Sequence, residues 1–153
     1  MEPDMIRILA LAFLLVSATF AFAKDDCLAV QGKAVQGNVT HIGDGDTFDV
    51  GAERVRLFGL DSPANSRHGG KDSTAALSAL VAGKAVTCNI VEKTKGGRCL
   101  ATCSVNGQDV SEQMIKNGKA FVLRGAAHFS QSQARYDAAE LDARTNKRGF
   151  WAK

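Results

Sequence analysis

The chain has 153 residues, a formal charge of +3 at pH 7, and 45% hydrophobic, 23% charged and 7% aromatic residues. That composition excludes disordered and collagen-like chains. The length suits one domain with a real buried core and excludes a large multi-site enzyme.

An apolar run from Ile8 to Val16 leads to small residues at Ala21 and Ala23. This pattern predicts a signal peptide over residues 1–23, cleaved after Ala23, and a secreted or periplasmic protein. The run is too short to span a bilayer comfortably, so no stable membrane association is expected after cleavage. A retained N-terminal anchor is the alternative. Glu2 and Asp4 offset Arg7, and a start at Met5 would give a more cationic leader. Removing residues 1–23 leaves 18 basic and 14 acidic side chains, a net +4, which favours polyanions weakly. Residues 24–36 form a lead segment, and the folded domain is expected over 37–151, as a monomer.

Residues 34–43, 46–50 and 53–60 are rich in β-formers and punctuated by glycine turns at Gly43 to Asp46 and at Gly51. They read as three strands. Asp72 as N-cap, apolar residues at 76, 77, 80 and 81, and Gly83 as a stop predict a helix over 72–83. Strands over 84–92 and 98–105 follow, joined at Thr94 to Gly97 by a hairpin turn. With that turn centred near Lys95 and Gly96, facing positions sum to about 191, which sets Cys88 opposite Cys103. Four cysteines in an exported chain favour disulfides, so Cys88–Cys103 is expected, leaving Cys27 and Cys99 for a second bridge. Zinc is the rival, since Cys99 and Cys103 are four apart, but there is no CxxC pair and the three histidines lack ligand spacing. Helices over 110–117 and 132–147, stopped by Gly118 and Gly149, complete the chain. This element order fits an α+β fold, a five-stranded OB-type β-barrel with three helices.

The residues also carry a resemblance. Asp44-Gly-Asp-Thr47, the run from Val55 to Pro63, Gly97-Arg98, the segment from Val110 to Ala120, Tyr136 with Glu140, Ala143-Arg144 and Gly149-Phe-Trp151 stand in chain order. A lone Asp-Gly-Asp-Thr is a weak signal because such turns are common. The ordered set is similar to the staphylococcal nuclease (thermonuclease) family over about residues 37–151.

Two carboxylates brought close together, Asp46 and Asp61, repel without a cation, and hard oxygen donors suit Ca²⁺ or Mg²⁺. An EF-hand is excluded because its twelfth loop position holds Val55, not Glu. The resemblance implies Ca²⁺ held by Asp46, Asp61 and the Ser62 carbonyl, with Asp44 and Thr47 in support. It further implies that Arg56 and Arg98 flank the scissile phosphodiester of single-stranded DNA or RNA. Guanidinium groups suit that role through bidentate binding of phosphate oxygens. Taken singly, either arginine also reads as a solvated strand residue or a partner of Asp49 or Glu53.

The sequence departs from the family in two places. Where the family has a water-activating Glu after Pro63, this chain has Ala64, and a methyl accepts no proton. His68, four residues on, is the candidate substitute base. Where the family often places base-contacting tyrosines, this chain runs Phe121 to Ala127, with Arg124 as a candidate phosphate contact; the nearby rings, Phe121 and Phe129, read as core or loop packing rather than replacements, so weaker substrate binding is expected. Tyr136 and Trp151 are expected to pack the last helix. The resulting expectation is an exported Ca²⁺-dependent endonuclease-like protein of weakened activity. The alternative is a non-catalytic module binding nucleic acid or an exopolysaccharide-related polyanion.

Overall fold

The computed structural model describes residues 32–94, 98–125 and 132–152. The expected signal peptide, Cys27, the turn residues Lys95 to Gly97, and Phe129 lie outside these.

The first three strands, β1 (Ala34–Asp44), β2 (Thr47–Val50) and β3 (Glu53–Leu57), form an antiparallel meander. β1 also pairs with β5 (Ala85–Lys93), β5 with β6 (Cys99–Val105), and β6 lies parallel to β3 with Arg56 opposite Leu100. The pairings of these five strands therefore return on themselves, which gives the α+β architecture expected of an OB-type fold. β7 (Gln108–Asp109) extends the sheet beyond β6.

Alternation decides what is inside. β6 buries every second residue, Cys99, Ala101, Cys103 and Val105, as a strand with one face on the core must. Phe48, Val55, Leu57, Val86 and Ile90 join them, and the helix α1 (Gly70–Val81) closes the core with Leu77 and Val81. Each fully buried Leu or Phe contributes about 1.5–3 kcal/mol relative to exposure. Cys88 stands opposite Cys103, and a disulfide joins them across a separation of 15 residues. Among the described residues no cysteine is free. The Cys27–Cys99 pairing depends on a residue outside the described set.

Three boundaries differ from expectation for identifiable reasons. The third strand, expected to reach residue 60, stops at Leu57, because Gly59 at φ 78° turns the chain into a separate strand, β4 (Leu60–Asp61). Asp72 is not the N-cap of α1. Gly69 holds that position at φ 82° and Asp72 sits in the first turn, because Gly70 lies against the Ala64 carbonyl where no side chain fits. The last helix, α3 (Gln133–Thr145), is shorter than expected and is followed by Lys147 at φ 49° and a 3-10 turn over Gly149–Trp151. Gly149 does not stop that helix; its backbone packs against Gly118. Before it, α2 (Val110–Lys116) is capped by Asp109, whose carboxylate accepts from Glu112 N at 3.1 Å.

A short strand, β8 (Phe121–Val122), pairs with β4, setting Asp61 opposite Phe121. Glu140 on α3 fixes that strand. Its carboxylate, 3% exposed, accepts from Val122 N at 3.0 Å and from Arg124 and Arg144 at 2.8 and 3.0 Å. Burial alone would raise the Glu140 carboxyl pKa, but the Arg124 and Val122 N–H bonds and the two guanidinium charges outweigh it and hold it below the ordinary value. A carboxyl depressed in the folded state stabilises above its unfolded pKa and loses that contribution as pH falls through the folded one. Glu140→Gln, which keeps one acceptor for Val122 N, should therefore cost about 2 kcal/mol at pH 7, discounted because both arginines are half exposed. The cost should shrink toward zero in acid, and denaturant melts at pH 7 and pH 3 check it. An unchanged deficit at pH 3 would contradict the charge account.

Candidate nucleic-acid site

Arg56 on β3 is the pivot. One nitrogen, Nη2, lies 3.0 Å from Asp46 Oδ2 and 3.1 Å from Asp61 Oδ1. Asp46, at the β1–β2 turn, is buried with 6% of its side chain exposed, whereas the Asp61 side chain is 58% exposed. Thr47 Oγ1 donates to the other Asp46 oxygen at 2.7 Å. The turn can come this close because residue 45 is glycine: a Cβ there would collide with Ser73. Asp49, one rival partner of Arg56, is otherwise engaged, forming a two-pronged pair with Arg54 at 2.8 and 3.1 Å.

These groups open onto a cleft of about 590 Å³ whose walls also carry Asp44, Ser62, Ala64, Arg67, His68 and Arg98. Arg98 thus reaches the same cavity as Arg56 from the start of β6. Among the described residues its guanidinium makes no ion pair, nor does that of Arg67. Among the described residues, the buried Ser62 Oγ has no hydrogen-bond partner. Asp44 serves the loop rather than the cation, because its Oδ1 accepts from Asn65 N at 3.1 Å.

Asn65 and Arg67 are the residues sequence reasoning passed over. The Asn65 amide donates to the Gly43 carbonyl at 2.6 Å and accepts from Thr74 Oγ1 at 2.6 Å. It pins the loop carrying Ala64 to both the β1–β2 turn and α1. The signal was available: an Asn in a loop between a strand end and a helix start bonds backbone readily. One suggested contact is absent: Arg124 is bound to Asp137 and Glu140 and is no open phosphate ligand. Tyr136 packs as expected, fully buried and donating its hydroxyl to Asp109 at 2.8 Å.

The donor set fits Ca²⁺. Two carboxylates already share one cationic nitrogen, all donors are hard oxygens, and Ser62, on the same cleft wall, has a buried hydroxyl without a hydrogen-bond partner among the described residues. Among the described residues no three of His, Cys, Asp and Glu group for a metal, so carbonyl and water would have to complete the shell.

The family described as "Staphylococcal nuclease homologue" matches residues 54–153. An "Uncharacterized endonuclease" of Escherichia coli is 31% identical over 123 residues, covering 77% of this chain and 78% of its own. The "Succinoglycan biosynthesis protein ExoI" of Rhizobium meliloti (strain 1021) is 30% identical over 120 residues, covering 71% and 60%. The "Probable staphylococcal-like nuclease CAN1" of Oryza sativa subsp. japonica is 32% identical over 101 residues, of which this chain spans only 29% of the relative's length.

Proposed function

Because the chain belongs to the staphylococcal nuclease family, we propose that it is an exported, Ca²⁺-dependent endonuclease acting on single-stranded DNA or RNA. The observation that carries this reading is the convergence of Asp46 and Asp61 on Arg56 in a cleft that Arg98 also lines.

Asp46, Asp61 and the Ser62 carbonyl would hold Ca²⁺, which supplies electrostatic neutralisation of a phosphate oxygen. Arg56 and Arg98 bind the scissile phosphate and stabilise the extra negative charge that accumulates as water attacks in line. Thr47 fixes the Asp46 carboxylate, and the Asn65 clamp fixes the wall opposite. Ala64 supplies no base. His68 is the one imidazole on the cleft wall, yet no hydrogen bond orients its ring among the described residues. His68→Ala should leave cleavage within about threefold, since a base needs fixed geometry. A loss of tenfold or more would assign it the proton.

Hydrolysis of denatured DNA by the oxidised protein, with Ca²⁺ and with chelator, tests the reading. An Asp46→Ala control prepared identically exposes contaminating nuclease. Ca²⁺-dependent cleavage absent from the control supports it, and no cleavage above the control from folded protein refutes it. Ala64 favours one second reading, a phosphate-binding module that no longer cleaves, and the name of the Rhizobium relative is compatible with a polyanion other than nucleic acid.

A further inference from the structure

Asp46 and Asp61 are held in different ways. Asp46 is nearly buried and accepts from Thr47 Oγ1 besides pairing with Arg56. The Asp61 side chain is 58% exposed, and among the described residues its carboxylate touches Arg56 alone. Its place is therefore set by its backbone, which belongs to the two-residue strand β4, and β4 has one ladder partner, the equally short β8. Two such strands do not hold each other in water. What holds β8 is a closed circuit of contacts from α3 and the turn that follows it. Phe121, directly opposite Asp61, meets Phe150 stacked at 5.4 Å between ring centres and Trp151 edge-on at 5.5 Å. The Arg144 guanidinium covers the Trp151 ring at 4.3 Å and donates to Glu140 Oε2 at 3.0 Å. Glu140 Oε1 accepts from Val122 N at 3.0 Å, which returns the circuit to β8. The turn is seated close by: Phe150 N donates to Gly118 O at 2.9 Å, and a Cβ on Gly118 or Gly149 would collide with the backbone of the other segment.

We propose that Trp151, with Arg144 over it, is a positioning residue for Asp61: through Phe121 and the β8–β4 pair it sets how tightly the two carboxylates hold a divalent cation. The proposal deepens the Ca²⁺ reading and rests on it. A cation shared by two carboxylates needs both in place at once, and a donor on a loosely held strand must be ordered as the ion binds. That ordering lowers affinity. A donor already fixed by the contacts behind it avoids the loss, which is why the neighbours of metal ligands govern metal affinity. The circuit acts on Asp61 rather than Asp46, because Asp46 sits at the β1–β2 turn with its own bond from Thr47. Loosening it should therefore weaken cation binding and leave the saturated site unchanged, since two carboxylates that share an ion fix each other.

The test is calorimetric titration of the oxidised protein with Ca²⁺, beside thermal melts in chelator. Trp151→Leu removes both the ring edge against Phe121 and the surface under Arg144, and should weaken Ca²⁺ binding about tenfold, the lower end of what neighbours of metal ligands contribute. Trp151→Phe keeps a ring in place and should recover most of that loss. Arg144→Gln, a change at a half-exposed side chain, should weaken binding about threefold and serves also if Trp151→Leu does not fold. Val86→Ala truncates a buried residue on β5 outside the circuit; it should lower Tm in chelator while leaving Ca²⁺ affinity within about twofold. In cleavage of denatured DNA, the Ca²⁺ concentration giving half the maximal rate should rise in Trp151→Leu by the same factor as the calorimetric constant, with the rate at saturating Ca²⁺ unchanged. Unaltered affinity in Trp151→Leu and Arg144→Gln, or an equal loss in Val86→Ala, would overturn the positioning role alone. A lower saturated rate at unaltered affinity would overturn it in favour of a contact with substrate. An unmodified protein that binds no Ca²⁺ would overturn the metal reading and this proposal together.

Discussion

Ala64→Glu should raise the rate of Ca²⁺-dependent cleavage of denatured DNA by at least tenfold. A positioned general base is worth about 10² to 10⁴ in rate, and in the proposed mechanism it is the one group that no residue supplies. Residue 64 is exposed on the cleft wall, so a longer side chain meets no core atoms. Its backbone is held independently of its side chain, with the Ala64 carbonyl accepting from Arg67 N at 2.8 Å and Asn65 clamped on both sides. The gain should fall on kcat, because a base acts in the transition state and adds little to ground-state binding. Single-turnover and steady-state assays on a defined oligonucleotide separate the two. A variant that binds the strand but cleaves no faster would mean that Arg56, Arg98 and the carboxylates are not arranged around a reacting phosphate, and the binding module would then be the better account.

Much of this site was legible because its parts sit at strand ends whose positions the turns dictate. Gly43 to Asp46 forces a turn, and alternation along β3 puts Arg56 out of step with the buried Val55 and Leu57. Cys88 faces Cys103 as expected, but not through the turn alone: the pairs nearest it, Glu92 with Leu100 and Lys93 with Cys99, are one residue out of that register, and an irregularity between Ile90 and Glu92 restores it. What could not be read was long-range. Nothing local announces that Gly59 ends a strand so that β4 can pair with β8, 62 residues of chain further on at Leu60 opposite Val122, or that Glu140 anchors that pair from α3. Helix starts fail similarly: Asp72 has the chemistry of an N-cap, but close packing of Gly70 on Ala64 moves the cap three residues earlier, to Gly69. Local propensity was outvoted there by tertiary contact.

Arg56→Ala should have the largest cost of any single change, and its signature should separate it from Arg98→Ala. Both remove a guanidinium from the developing phosphate charge, an effect worth roughly 10³ to 10⁵ in rate for arginines in phosphoryl transfer. Only Arg56 also serves the resting protein, holding a nearly buried Asp46 at 3.0 Å and an exposed Asp61 at 3.1 Å. Without it, Asp46 retains the Thr47 hydroxyl but faces a second carboxylate with no cation. Breaking a fully buried pair costs about 3–5 kcal/mol, and with Asp61 largely in water about 2–3 kcal/mol is expected here in chelator. Ca²⁺ should restore most of that loss, since the freed carboxylates are the donors the ion needs, so the rise in Tm on adding Ca²⁺ should be larger for Arg56→Ala than for the unmodified protein. Arg98→Ala breaks no ion pair among the described residues and should lower cleavage with Tm unchanged in either condition. Equal destabilisation of the two variants, or an Arg56→Ala deficit indifferent to Ca²⁺, would show that Asp46 and Asp61 do not act together as a cation site.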